Sequence, residues 1–234
     1  MELINIKVNI YLSKIDLSLD QEEITRLLQF ISNENRNKCK KFSFKVDVLR
    51  TLYGELIIRY ILCKKLLIKN ECIELRKGNN GKPYVKDFPV HFNVSHAGDY
   101  VVVAIADQEI GIDIEQMEKI DMRIAKRILS SYEYDDLVSE DTEDQLQHFY
   151  SLWTLKESYV KLLGTGLSMP LDSFGFRLKG NDISFIDHNN SVRAKPYFKQ
   201  YLVEGYKLSV CSMTPEFPNR IERISIKEIT QSTL

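Results

Sequence analysis

The chain has 234 residues, 44% of them hydrophobic and 28% charged, with 32 Lys and Arg against 33 Asp and Glu. That much apolar content is enough for one large core or two smaller ones, and it excludes general disorder. A net charge of -1 excludes a global field that would draw the protein onto nucleic acid or a membrane surface, so any anion site must be a local cluster.

Four cysteines, Cys39, Cys63, Cys72 and Cys211, form no Cys-x-x-Cys pair and have no histidine beside them at zinc spacing. They read as ordinary, mostly buried thiols in a reducing cytosol. The first residues lack a basic stretch followed by an apolar run, and no apolar run approaches the roughly 20 residues needed to span a bilayer. The expectation is a cytoplasmic protein with neither nucleic acid nor membrane as partner.

Residues 3–12 carry Leu3, Ile4, Ile6, Val8, Ile10 and Leu12 in rough alternation, a first strand. Asp16 to Asp20 is a polar break. A helix follows from Gln21, capped by Asp20, with Ile24, Leu27, Leu28 and Ile31 at helical spacing. Glu34 to Phe42 is locally basic, either a solvated helix face or one wall of a phosphate site. Arg50 and Thr51 open a broad apolar helix that ends near Leu66, a central core element. Residues 71–76 read as a strand, and Gly78 to Tyr84 as a turn dense in Gly and Asn, to which Lys82 adds charge.

His91 to Val94 is a short strand broken by Ser95 to Asp99, and Tyr100 to Ala106 and Ile110 to Glu115 are the next two. Alternation turns Ile112 and Ile114 into the core and sets Asp113 and Glu115 together on the other face. A helix spans 121–129. Ser130-Ser131 caps a short helix containing Glu133, and 139–144 is a polar loop. The longest helix runs from about Glu143 to Leu163, with an apolar face of Leu146, Phe149, Tyr150, Trp153, Val160 and Leu163, and Gly164-Thr165-Gly166 stops it. The rest, 174–229, reads as antiparallel strands with a frayed tail. The order strand, helices, strands thus recurs once. The expected fold class is α+β: two similar halves, 1–106 and 107–234, with the site in the cleft between them.

Paired carboxylates such as Asp113 and Glu115 are ordinarily solvent-exposed at a sheet edge. As a functional pair they repel and need a cation, and hard oxygen ligands point to Mg²⁺, with Mn²⁺ possible. Glu157 is a third candidate ligand. It stands four residues before Lys161 on one helix face, an arrangement that serves equally as a surface ion pair or as a metal ligand beside a phosphate-binding lysine. Lys156, about a third of the way round that helix, could do similar work. His96 is either a satisfied loop histidine or an N–H donor to a phosphate.

Asn93-Val94-Ser95-His96, Gly111-Ile112-Asp113-Ile114-Glu115 and Trp153-Thr154-Leu155-Lys156-Glu157-Ser158, in this order and separation, resemble the three signature blocks of the 4′-phosphopantetheinyl transferases, in particular their surfactin-synthetase-activating (Sfp-type) branch. The resemblance extends to Phe42, Arg50-Thr51, Gly81-Lys82-Pro83, Ser130 to Tyr134, Gly164 to Phe174 and Tyr206 to Cys211. It implies transfer of the phosphopantetheine arm of coenzyme A, the substrate, onto a serine of an apo peptidyl or acyl carrier protein, releasing adenosine 3′,5′-bisphosphate. It also implies a monomer.

By the same resemblance Asp113, Glu115 and Glu157 match the magnesium ligands and Lys161 the lysine at the pyrophosphate. Lys38, Thr51 and His96 match groups around the 3′-phosphate. Arg50, Lys82, Pro83 and Ser95 match the adenosine wall, and Glu133 matches the proposed general base. Asn35 and Asn80 depart from relatives that have a basic and an aromatic residue there. A carrier-docking patch is expected around Met117 to Arg127, with Met122, Arg123 and Ile124 at the surface. The competing readings are a coenzyme A-binding module without turnover and a pyrophosphate hydrolase. The intact acidic triad with Lys161 speaks against the first, and the absence of a Nudix-type helix against the second.

Overall fold

In the computed structural model, which describes residues 6–78, 80–180, 182–187 and 194–233, the chain divides into two compact units. One comprises Met1–Asp107 with Pro218–Leu234, and the other Gln108–Phe217. Residues 3–5 of the expected first strand and Asn79 of the glycine turn lie outside the described residues.

The first unit begins with β1 (Asn9–Lys14), α1 (Gln21–Leu28) and α2 (Asn33–Cys39). Asp20 caps α1 through a reciprocal box with Glu23, which satisfies two otherwise orphaned backbone donors. The next helix, α3, runs Lys45–Leu66, so Arg50 and Thr51 sit in its second turn and do not open it; extended Phe44 is its N-cap. Leu49, Leu52, Tyr53, Leu56, Ile57, Ile61 and Leu62 of α3 are at most 1% exposed.

A helix buried on nearly every side must neutralise its own charges. Buried Glu55 accepts from Arg59 Nε at 2.7 Å, and also from Ser32 Oγ and from Asn35 Nδ2. Asn35 is therefore engaged inside this unit. Residues 70–72 form a 3₁₀ turn, which shortens the expected strand 71–76 to β2 (Leu75–Lys77), paired with β3 (Pro83–Val85). Next comes β4 (His91–Ala97), which pairs with β5 (Tyr100–Ala106) along its whole length and does not break at Ser95. Gly98, at φ 48, makes the turn. Ser95 and His96 therefore point to opposite faces of one strand, Ser95 buried and His96 exposed.

The second unit contains β6 (Ile110–Gln116), α4 (Met122–Ile128), α5 (Ser131–Ser139), α6 (Thr142–Leu163), β7 (Phe174–Lys179), β8 (Asp182–Asp187), β9 (Tyr197–Val203) and β10 (Tyr206–Ser212). The loop expected at 139–144 is only Glu140 and Asp141. Strands β6, β10 and β9 form an antiparallel sheet in that order, and α6 lies along β6 and β10. Both units thus set one 22-residue helix on a sheet of mainly antiparallel strands. The approach of α6 is possible because residue 111 is glycine: a Cβ there would stand 1.9 Å from the Ser158 carbonyl oxygen. Gly164, at φ 66, ends α6 as a left-handed cap. Leu163, expected on the apolar face, is 42% exposed. Tyr159, Phe174, Phe176, Phe185 and Phe198 form an aromatic cluster beneath the helix, with neighbouring centroids 4.8 to 6.2 Å apart.

The tail then returns to the first unit. Short β11 (Glu222–Arg223) pairs in parallel with β1, and α7 (Ile226–Thr233) packs on α3 with Ile229 fully buried. The order of that sheet is β11-β1-β5-β4. The segment read as frayed, and counted with 107–234, is therefore a structural part of the first unit. Ser225 and Glu228 form the box that starts α7. Among the described residues no helix is long and apolar enough to cross a membrane. Cys39 and Cys211 are buried, Cys63 is half-buried and Cys72 is exposed.

Candidate functional site

β6 is an edge strand, but Asp113 is 2% exposed and Glu115 half-buried, so the solvent-exposed reading of the pair is excluded. Both residues share the strand face of Gly111, which lies against α6. From α6, Trp153, Glu157 and Lys161 follow at four-residue steps and form one stripe. Lys161 Nζ donates to Asp113 Oδ1 at 2.6 Å, and Trp153 Nε1 donates to Glu115 at 3.2 Å. Within this one unit α6 thus meets β6 through Lys161 on Asp113 and Trp153 on Glu115, with Glu157 in electrostatic reach of Asp113 and Lys161.

Its electrostatics are those of crowded acids. Burial raises the Glu115 pKa above the usual carboxylate value and the Asp113 charge raises it further, while the Trp153 hydrogen bond and Lys161 oppose. Glu157 is raised for the same two reasons, with Lys161 again opposing. Among the described residues no group of three His, Cys, Asp or Glu side chains is gathered closely enough to hold a metal ion. The cation at Asp113 is the Lys161 ammonium. The donor set itself is all hard oxygen and carries surplus negative charge, which suits Mg²⁺.

The nucleotide-end candidates lie in the first unit. Arg50 Nη2 donates to the Gly98 carbonyl at 2.8 Å, which brings its guanidinium to the turn just beyond Ser95 and His96. Thr51 is half-buried on the same helix, and exposed Lys38 on α2 stands 5.6 Å over the Phe42 ring. Half-buried Lys82 precedes Pro83, the first residue of β3, and β3 packs on β4.

Glu133 and Lys156 stand differently from expectation. Glu133, expected as a proton acceptor, is 1% exposed. Its Oε2 accepts from Ser130 N, Ser130 Oγ and Lys156 Nζ, and its Oε1 accepts from Phe176 N at 2.8 Å. Lys156, read as a possible phosphate contact, is fully buried. Besides Glu133 it donates to the carbonyls of Leu171 at 2.8 Å and Phe174 at 2.6 Å. Burial pushes its pKa below the usual lysine value, with Glu133 opposing.

Residues 18–108 match the family described as "4'-phosphopantetheinyl transferase, N-terminal", and 109–211 the "4'-phosphopantetheinyl transferase superfamily". The chain is 41% identical over 224 residues to 4'-phosphopantetheinyl transferase Sfp of Bacillus subtilis (strain 168), covering 95% of this chain and all of that one. Gsp of Aneurinibacillus migulanus, also a 4'-phosphopantetheinyl transferase, is 36% identical over 217 residues, covering 92% and 91%. The chain belongs to the 4′-phosphopantetheinyl transferases.

A phosphopantetheinyl transferase moves the phosphopantetheine of coenzyme A to carrier proteins, so the nucleophilic serine belongs to the partner and the enzyme needs no nucleophile of its own. What this transferase must supply is positioning and charge. Three features serving that purpose lie in the quoted sequence blocks without a role being read for them. Trp153 was placed on the apolar face, although its four-residue step to Glu157 marks it as part of the acidic stripe. Gly111 is a glycine inside a strand, which signals close backbone approach. Thr154 Oγ1 and Ser209 Oγ meet at 2.7 Å between α6 and β10, and no local pattern announces that contact.

Proposed function

We propose that this transferase uses Mg²⁺, with Mn²⁺ as an alternative, held by Asp113, Glu115 and Glu157, and that Lys161 binds the coenzyme A pyrophosphate. The observation carrying this reading is the Asp113–Lys161 contact, with Glu115 and Glu157 near enough for the Asp113 charge to help raise both of their pKa values. When bound, the metal neutralises the pyrophosphate and polarises the phosphorus under attack. Lys161, with its side chain 27% exposed, turns from Asp113 to a phosphate oxygen and offsets the charge on the departing adenosine bisphosphate. Trp153 holds the Glu115 carboxylate in place.

In the same reading Lys38, Thr51 and His96 bind the 3′-phosphate, and Arg50, Lys82, Pro83 and Ser95 line the adenosine. One chain carries both sets of residues, which supports a monomer. The carrier is an apo peptidyl or acyl carrier protein. It docks around α4, where Ile124 is 50% exposed and the Arg123 side chain 90%, while Met122 packs partly into the core.

The test is incubation with fluorescent coenzyme A, an apo carrier and Mg²⁺. The expected result is a labelled carrier and adenosine 3′,5′-bisphosphate, abolished by EDTA and restored by Mg²⁺ or Mn²⁺. Labelling that persists in EDTA sinks the metal assignment. Coenzyme A cleavage without a carrier sinks the transferase reading.

A further inference from the structure

The stripe Trp153, Glu157, Lys161 works only if α6 is correctly rotated about its own axis, since one residue's step turns a helix face by about 100°. Lys156 lies one such step to one side of Glu157 and Ser158 one step to the other. The Ser158 side is held by backbone contact with Gly111 and by Thr154 on Ser209. The Lys156 side is held by a sealed polar node. Lys156 Nζ directs its three donors to Glu133, Leu171 O and Phe174 O, and its ammonium stands 4.8 Å over the Phe174 ring. Glu133 passes that hold on to the start of α5 through Ser130 and to β7 through Phe176 N. A Cβ on Gly175 would stand 2.9 Å from Glu133 Cδ, so the carboxylate lies directly on the β7 backbone.

We infer that Glu133 and Lys156 are positioning residues of the transfer reaction: their buried pair fixes the rotation of α6 and so aims Trp153, Glu157 and Lys161 at Asp113 and Glu115. The pair takes no proton from the carrier serine and holds no phosphate. Every donor of Lys156 is engaged by protein, and Glu133 has no exposed oxygen with which to meet a substrate. The inference rests on the metal-and-pyrophosphate reading of the stripe given above.

Trp153 is the only tryptophan in the chain and reports the stripe directly. Glu133→Gln, Lys156→Met and the double variant are compared with the parent in the full-length protein. Each single variant leaves a buried partner uncompensated, and the double removes both. In metal-free protein, the single variants should shift Trp153 emission to longer wavelength, and the double should return it to the parental value. Half-quenching of Trp153 by Mn²⁺ should need at least about tenfold more metal in the single variants and stay within about threefold of the parent in the double, the coupling expected of contacting residues. The double should also keep kcat within about tenfold of the parent, because a group that took the proton would be worth about 10²–10⁴-fold.

Single variants with parental emission and parental Mn²⁺ response that still lose more than about 100-fold in kcat overturn the inference, since the pair then acts on the substrate. Should the single variants not fold, a folded double with parental emission and the same kcat loss overturns it equally. A parent without any Mn²⁺ response overturns the metal reading alone, and the metal-free emission then decides the question of rotation.

Discussion

Lys161 and Lys156 stand five residues apart on α6, and each donates to a buried carboxylate, Asp113 at 2.6 Å and Glu133 at 2.8 Å. As isolated pairs they are chemically the same. What separates them is the remaining company. Lys161 is partly open to solvent and faces acids that outnumber it, so its pair can exchange partners when a more highly charged ligand arrives. Lys156 is closed in by two carbonyls and an aromatic ring, and Glu133 by three further donors, so that pair has nothing left to give. A lysine–carboxylate contact becomes a site where it is open to solvent among surplus acids and a strut where it is sealed by carbonyls and donors.

The sharpest way to break this contrast is to delete the acid from each pair. Glu133→Ala strands a fully buried ammonium and should cost roughly 3–5 kcal/mol of stability, read as a lowered urea midpoint. Asp113→Ala should do the reverse. Lys161 can turn to water, so the melt should stay near that of the parent while kcat falls on the order of 10³-fold, equivalent to about 4 kcal/mol. If Asp113→Ala unfolds the protein instead, the distinction between site and strut collapses.

A gentler probe is pH. Glu115 and Glu157 have raised pKa values in the folded, metal-free protein, so between the ordinary carboxylate pKa and those raised values the folded state binds more protons than the unfolded one. Metal-free stability therefore falls as pH rises through that window. Mg²⁺ at about 100 times its dissociation constant should restore about 2.7 kcal/mol above the window. Thermal melts with and without Mg²⁺ from about pH 4 to pH 8 check both signs, and Glu157→Gln should flatten the metal-free slope. The smallest effect lies outside both pairs. Ile124→Ala, at a half-exposed position, should change stability by less than about 0.5 kcal/mol. The docking proposal for α4 expects a raised KM for the carrier with kcat unchanged.

Much of this was legible in the chain. Alternation alone put Asp113 and Glu115 on one face of β6, and the i,i+4 step joined Glu157 to Lys161. Asp20 and Ser130 announced the helices that they cap. The losses share a physical cause: they depend on contacts between residues distant in sequence. Nothing local says that Lys156 will meet Glu133 and two carbonyls beyond residue 170, or that Ser209 will lie under Thr154. His96 continues a strand because Val101 pairs with it, although Ser-His-Ala-Gly read alone suggests a break. The burial of Asp113, more than its position, turned a pair that is ordinarily solvent-exposed into a candidate site.

The return of the last residues to the first unit bears on how the protein is made. A ribosome makes the residues up to Asp107 before those of the second unit, and the first unit still lacks the strand Glu222–Arg223 and the helix carrying Ile229 until Gln108–Phe217 has been made. The first unit is therefore completed after the second, which is inserted within it as Gln108–Phe217. A chain cut short by some twenty residues would keep every residue of the acidic stripe and still lose the edge of the sheet that carries His96.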